Sequence, residues 1–251
     1  VEFAFVPATD DQPGGPAYDF RISRLEIRND QFIAFLNDAL ANLDNQRGQY
    51  LFFDLGSGDV YIHSDLMGRT GLDGTGPLLF NTAASGRVTY LTGQYVVTDP
   101  VLATHPVSGV TWYGAVKFCN WLTLASGLAE SERAYSEAPS SELRGWRPVT
   151  ITNADWALRD LNTGERDALL QKLGFRLPMD GGADGAGAYN EWLKAAAARR
   201  DLSGTLLFDA IYGFGRINPP TPADANYLGS GDLFEPGTTP VGFYNGVNLL
   251  T

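Results

Sequence analysis

Glycine and proline recur every few positions over long parts of this sequence, and this pattern limits how much regular structure the chain can form. It has 29 glycines and 14 prolines in 251 residues. Residues 47–104 alternate short strand-like segments with turn residues, and residues 201–251 carry turn residues throughout. Long irregular segments in a compact domain usually serve a function or hold ions. The sequence therefore predicts a loop-rich fold with few helices.

Three segments place apolar residues about 3.6 positions apart, which predicts amphipathic helices. They are residues 29–43, 111–126 and 189–200, and Asn29 can cap the first. Shorter helices are expected at 153–161 and 163–173.

The second of the three helices has the clearest ends. Thr111 can cap its first turn, and Gly127 suits a left-handed stop after its last turn. Its apolar stripe predicts that it packs on one side only. Because large aromatic side chains bury much area, we expect Trp112, Trp121 and Trp192 to be buried core anchors.

Charge and hydropathy exclude two classes of partner. The 18 basic residues against 29 acidic ones give a net charge of -11, which argues against a nucleic-acid partner. No apolar run approaches the roughly 20 residues that a membrane span needs. The sequence starts at Val1 rather than Met, which we interpret as a processed or trimmed chain.

Four segments carry the strongest sequence signal: residues 21–32, 105–121, 174–178 and 225–246. In this order they resemble the formylglycine-generating (sulfatase-modifying factor) family, a branch of the C-type-lectin-like architecture. The second segment, with His-Pro-Val-Ser-Gly-Val-Thr-Trp-Tyr followed by Phe-Cys-Asn-Trp, is the most specific. The resemblance implies an α+β fold of low regular structure, in a single domain over residues 1–251 that lacks the C-terminal part of the family fold.

Cysteine and histidine content separates this chain from the enzymes that it resembles. Family oxidases use two cysteines to hold copper(I), whereas Cys119 is the single cysteine here and occupies an apolar helix position. Related sulfoxide synthases need three histidines for iron, and this chain has only His63 and His105. A triad of His63, Ser64 and Asp65 has no supporting motif. No copper is expected.

Calcium is the one ligand that the resemblance supports. Asn226, the Tyr227 carbonyl, Asp232 and the Phe234 carbonyl match the family's calcium site in type and order. A hard cation prefers such oxygen ligands. The alternative interpretation is a solvated turn.

We therefore expect a non-catalytic, exported structural or binding protein, stabilised by calcium, whose partner is another protein or a larger assembly. Export follows from the habit of the family, with a signal peptide removed. The first alternative is a truncated copper-dependent oxidoreductase that converts a substrate cysteine to formylglycine. The second is a lectin-like carbohydrate-binding module, based on the fold and on aromatics such as Tyr212 and Phe214.

Overall fold

The computed structural model describes residues 1–8, 16, 18–151, 161–179, 191–197, 199–200, 206–207 and 238–239. The chain divides into two compact units, one from Val1–Ile27 with Pro178–Thr251 and the other from Arg28–Leu177. The prediction of a single domain over 1–251 stays a prediction.

Helices and strands are numbered here in chain order. The first unit holds β1 (Phe3–Val6), β2 (Phe20–Ser23), α5 (Glu191–Ala197), β9 (Arg199–Arg200) and β10 (Leu206–Leu207). The second unit holds α1 (Asn29–Ala41), β3 (Leu51–Asp54), β4 (Val60–Ile62), β5 (Arg69–Gly71), β6 (Leu78–Phe80), α2 (Thr82–Ser85), β7 (Val88–Leu91), β8 (Gln94–Val97), α3 (Trp112–Ala125) and α4 (Thr163–Leu170). Three 3-10 helices, Pro100–Leu102, Glu130–Glu132 and Ser140–Gly145, also belong to the second unit.

In the first unit, β1 and β2 pair antiparallel, with Phe3 opposite Ser23. The buried Glu191 carboxylate accepts hydrogen bonds from the Tyr18 hydroxyl at 3.0 Å and the Met179 N–H at 2.9 Å. The predicted helix over 189–200 is wrong at its C-terminal end. α5 stops at Ala197, because Arg199 and Arg200 pair with β10 in an antiparallel ladder instead.

The second unit contains a four-stranded sheet in the order β5-β3-β4-β6. β3 and β5 are parallel, and the other neighbours are antiparallel. Strands β7 and β8 form a separate hairpin. Helices together with small, mostly antiparallel sheets and long irregular connections give a mixed α and β architecture of low regular structure, as the sequence predicts.

α1 follows the predicted period, with Phe32, Phe35, Leu36 and Ala39 buried on one face. The prediction of Asn29 as its N-cap is wrong by one residue. Arg28 is the cap, and Asn29 begins the helix, where its side-chain amide donates to the Leu102 carbonyl at 2.8 Å.

α3 has the predicted ends. The Thr111 hydroxyl accepts from the Gly114 N–H at 3.4 Å, and Gly127 has a φ of 81°. The prediction that it packs on one side only is wrong, because the five consecutive residues 116–120 are all buried. Two of them, Lys117 and Asn120, are polar and find hydrogen-bond partners inside the protein.

The prediction of buried tryptophans is also wrong. Trp112 is 41% exposed and Trp192 is 63% exposed, because each lies in the first turn of its helix and off the buried face. Trp121 is half-buried, and its indole N–H donates to Asp38 at 2.7 Å. Among the described tryptophans, Trp146 is the fully buried one, and it lies in an irregular segment.

Candidate functional site

The four predicted calcium ligands, Asn226, Tyr227, Asp232 and Phe234, lie outside the described residues. So do Tyr212 and Phe214 of the carbohydrate-binding alternative. Within the described ranges, no group of three or more His, Cys, Asp or Glu side chains could hold a metal ion.

Cys119 lies inside the second unit, in a hydrophobic cluster with Val116, Tyr135 and Trp146. It is 8% exposed, and burial raises the pKa of its thiol to about 12. The prediction that it packs as a small hydrophobe is confirmed. The thiol is therefore protonated near neutral pH, whereas the thiolate is the form that attacks a substrate.

His63, Ser64 and Asp65 do not form a catalytic triad. His63 accepts a hydrogen bond at Nδ1 from the backbone N–H of Asp65, at 3.1 Å, and its ring stacks on Phe52. The Asp65 carboxylate pairs instead with Arg69 at 3.5 Å. A triad needs that carboxylate on the histidine ring, so Ser64 has no activated base beside it.

His105 is buried in the loop before α3. Its carbonyl accepts from the Asn29 N–H at 2.9 Å, and its own N–H donates to the Leu102 carbonyl at 3.1 Å. These bonds tie the loop to the first turn of α1, which fits the role of a loop-shaping residue.

Lys117, Asn120, Arg133 and Glu137 form a buried charge cluster in the described residues. Lys117 and Asn120 are three positions apart on α3 and therefore project from one face of the helix. Arg133 and Glu137 follow the 3-10 helix Glu130–Glu132 in an irregular segment.

All three protons of the Lys117 ammonium have acceptors. It lies 2.5 Å from Glu137 Oε2, 3.0 Å from the Gln46 carbonyl and 3.2 Å from the Gln49 carbonyl. The Asn120 amide donates to Glu137 Oε1 at 2.8 Å and to the Tyr135 carbonyl at 2.9 Å. The cluster therefore joins three separate stretches of backbone through side-chain hydrogen bonds.

Burial dominates the electrostatics of this cluster. The side chains of Lys117 and Glu137 are 0% and 1% exposed. Burial lowers the pKa of Lys117, and the adjacent Glu137 carboxylate opposes that change. The Arg133 guanidinium lies 3.6 Å from Glu137 and 2.6 Å from the more exposed Glu130.

Tyr50 borders the cluster with a strained backbone. Its φ of 59° is in the left-handed region, which is unfavourable for a bulky residue. Its carbonyl accepts from the His63 N–H, and its neighbour Gln49 is one of the two backbone acceptors for Lys117. Burial, followed by the Glu137 and Glu142 carboxylates, raises the pKa of its hydroxyl.

This arrangement is suited to holding the loop before β3 against α3 rather than to reacting with a substrate. Lys117 and Glu137 are inaccessible to solvent, and each is fully hydrogen-bonded. No sequence pattern considered above predicts this site. Lys117 and Asn120 interrupt the apolar run Ala-Val-Lys-Phe-Cys-Asn-Trp. Because such polar residues are rarely buried unless they are paired, this interruption indicates a buried polar site.

The described part of the chain thus defines a loop-rich protein of helices and small sheets whose single thiol is buried. The family model of the sulfatase-modifying factor enzyme 1-like domain matches residues 16–205. This match covers well over half of the sequence, and the chain belongs to that family. Comparisons with curated proteins and with solved structures gave no match.

Proposed function

We propose that this member of the family is a non-catalytic structural or binding protein with a C-type-lectin-like fold. The observation that carries the proposal is the burial of Cys119, the single cysteine of the sequence, with a thiol pKa raised to about 12. Two thiolates are needed to hold copper(I) in the family oxidases, and these 251 residues supply one buried thiol.

The fold supports a binding role. Much of the described chain is irregular connection around small sheets, and loops on a fixed scaffold are the usual carriers of recognition. The partner that we propose is another protein or a larger assembly. Every helix in the described ranges is too short or too polar to cross a lipid bilayer.

Export and calcium stabilisation are further parts of the proposal, and both rest on the family resemblance. Fractionation of the native host, with an antibody against this chain, tests export. A full-length protein that retains a cytoplasmic location would contradict it.

A thiol and oxidation assay tests the proposal directly. Native protein should leave Cys119 unreactive toward an aromatic disulfide reagent, whereas the same protein in guanidinium chloride should release one equivalent. The native protein should bind no stoichiometric copper(I) and should form no aldehyde from a sulfatase-type cysteine peptide. An aldehyde product in a single-turnover assay would overturn the proposal. Two further cysteines encoded after Thr251 would favour the copper-dependent oxidoreductase instead.

A further inference from the structure

A cavity of about 480 Å³, open to solvent, lies beside the C-terminal end of α4 in the second unit. Its volume is within the roughly 300–1,000 Å³ that small-molecule sites occupy. Among the described residues, it shares none with the buried charge cluster. The described residues that line it are Glu132, Val149, Thr150, Ala168, Gln171 and Lys172.

Hydrogen bonds between side chains and backbone fix one wall of this cavity. The Lys172 ammonium donates to the Ser131 carbonyl at 2.6 Å, and the Leu173 N–H donates to Glu132 Oε2 at 2.9 Å. Gly174 comes so close to the Glu132 carbonyl that a Cβ at this position would collide with it. The segment after α4 is thus held tightly against the 3-10 helix Glu130–Glu132, and its charged side chains are already in place.

Two opposite charges on this wall do not pair. Among the described residues, neither the Glu132 carboxylate nor the Lys172 ammonium takes part in an ion pair. Each makes one hydrogen bond to the backbone, which leaves one carboxylate oxygen and two ammonium protons available.

The lining also has an apolar part. Val149 and Ala168 add an apolar surface beside these groups.

We propose that this cavity binds a small zwitterion of the α-amino acid class. The ligand ammonium pairs with Glu132, and its carboxylate accepts from Lys172. Val149 and Ala168 contact a short apolar side chain. Because the described lining residues carry one charge of each sign, a ligand with a single charge leaves one of the two side chains unpaired, and a neutral polyol leaves both unpaired.

Titration calorimetry with L-alanine, L-valine and L-threonine tests this proposal on the full chain. Propionate and propylamine serve as single-charge controls, and glucose serves as a neutral control. At least one amino acid should bind saturably, and both single-charge compounds should bind at least about tenfold more weakly, since each loses a charge-assisted hydrogen bond. Tighter binding of glucose than of the amino acids, or no saturable amino acid binding, would overturn the proposal.

Two substitutions link the binding to the cavity. Glu132→Gln keeps an acceptor for the Leu173 N–H but removes the charge, and Lys172→Gln removes the opposite charge. Each should weaken amino acid binding at least about tenfold. Asp167→Asn is the matched control, because this exposed α4 residue does not line the cavity, and it should bind as the wild type does.

Melting curves establish that each variant is folded before binding is measured. Wild-type affinity in both folded cavity variants would refute the site. The thiol assay of Cys119 is independent of this result, so failure of the zwitterion proposal and failure of the proposed function are distinguishable.

Discussion

Glu137 lies at the centre of the buried charge cluster in the second unit. Its carboxylate is surrounded by donors: the Lys117 ammonium, the Asn120 amide and the Gln49 amide, with Arg133 at 3.6 Å. A buried ion pair is weak evidence of net stability, because desolvation offsets much of the attraction. Removing one member of the pair lowers stability strongly, since the other charge is then left buried and uncompensated.

Glu137→Gln should therefore lower the free energy of unfolding by about 3–5 kcal/mol, the usual cost of breaking a buried pair. The new amide would also place its own N–H groups among donors. Glu130→Gln is the matched control, because Glu130 is half-exposed and its pair with Arg133 is of the kind worth about 1 kcal/mol or less. Urea denaturation measures the free energy of unfolding of both variants. Equal destabilisation by the two variants would show that the cluster does not hold the fold.

At the scale of elements, Thr111 couples the start of α3 to the sheet. Its hydroxyl accepts from the Gly114 N–H at 3.4 Å and can donate to the Leu78 carbonyl at 2.9 Å or the Leu79 carbonyl at 3.2 Å. Thr111→Ala removes both functions and should cost about 1–2 kcal/mol of stability, as loss of an N-cap does. Thr111→Ser keeps the hydroxyl and should recover most of the loss. If thermal unfolding gives the same stability for the two variants, the cap does not contribute.

The helices with a regular apolar period could be predicted from the sequence, and the partners of their polar residues could not. The period placed α1 and α3 to within a few residues, because it reflects local geometry. Lys117, by contrast, reaches the Gln46 carbonyl, 71 positions away. Such pairing depends on the tertiary fold, so no local pattern reveals it.

The burial of individual aromatic residues could not be predicted from the sequence either. Size alone favours a buried tryptophan, yet Trp112 begins α3 at the edge of its buried face. Trp146 has no helical period around it and is nevertheless fully buried, with its indole N–H donating to the Ala138 carbonyl at 2.8 Å. The direction of a side chain from irregular backbone cannot be inferred from sequence spacing.

At the scale of the whole molecule, the sequence predicts long loops and few hydrogen-bonded elements that could order them. Residues 219–245 contain many Pro and Gly residues, and this composition predicts backbone groups without regular partners. We expect calcium, held by Asn226, the Tyr227 carbonyl, Asp232 and the Phe234 carbonyl, to gather oxygens there and to replace the missing pairing.

Calcium should therefore raise the melting temperature of the intact chain. An ion that binds only the folded form at about a hundred times its Kd adds roughly 2.7 kcal/mol to the free energy of unfolding. Asp232→Asn should lose most of this increment, because it removes the single carboxylate of the set and divalent ions depend strongly on ligand charge. Asp167→Asn should keep the full increment. Thermal unfolding with calcium and with a chelator tests this prediction. If the wild type melts at the same temperature under both conditions, the loop resembles a calcium site without being one.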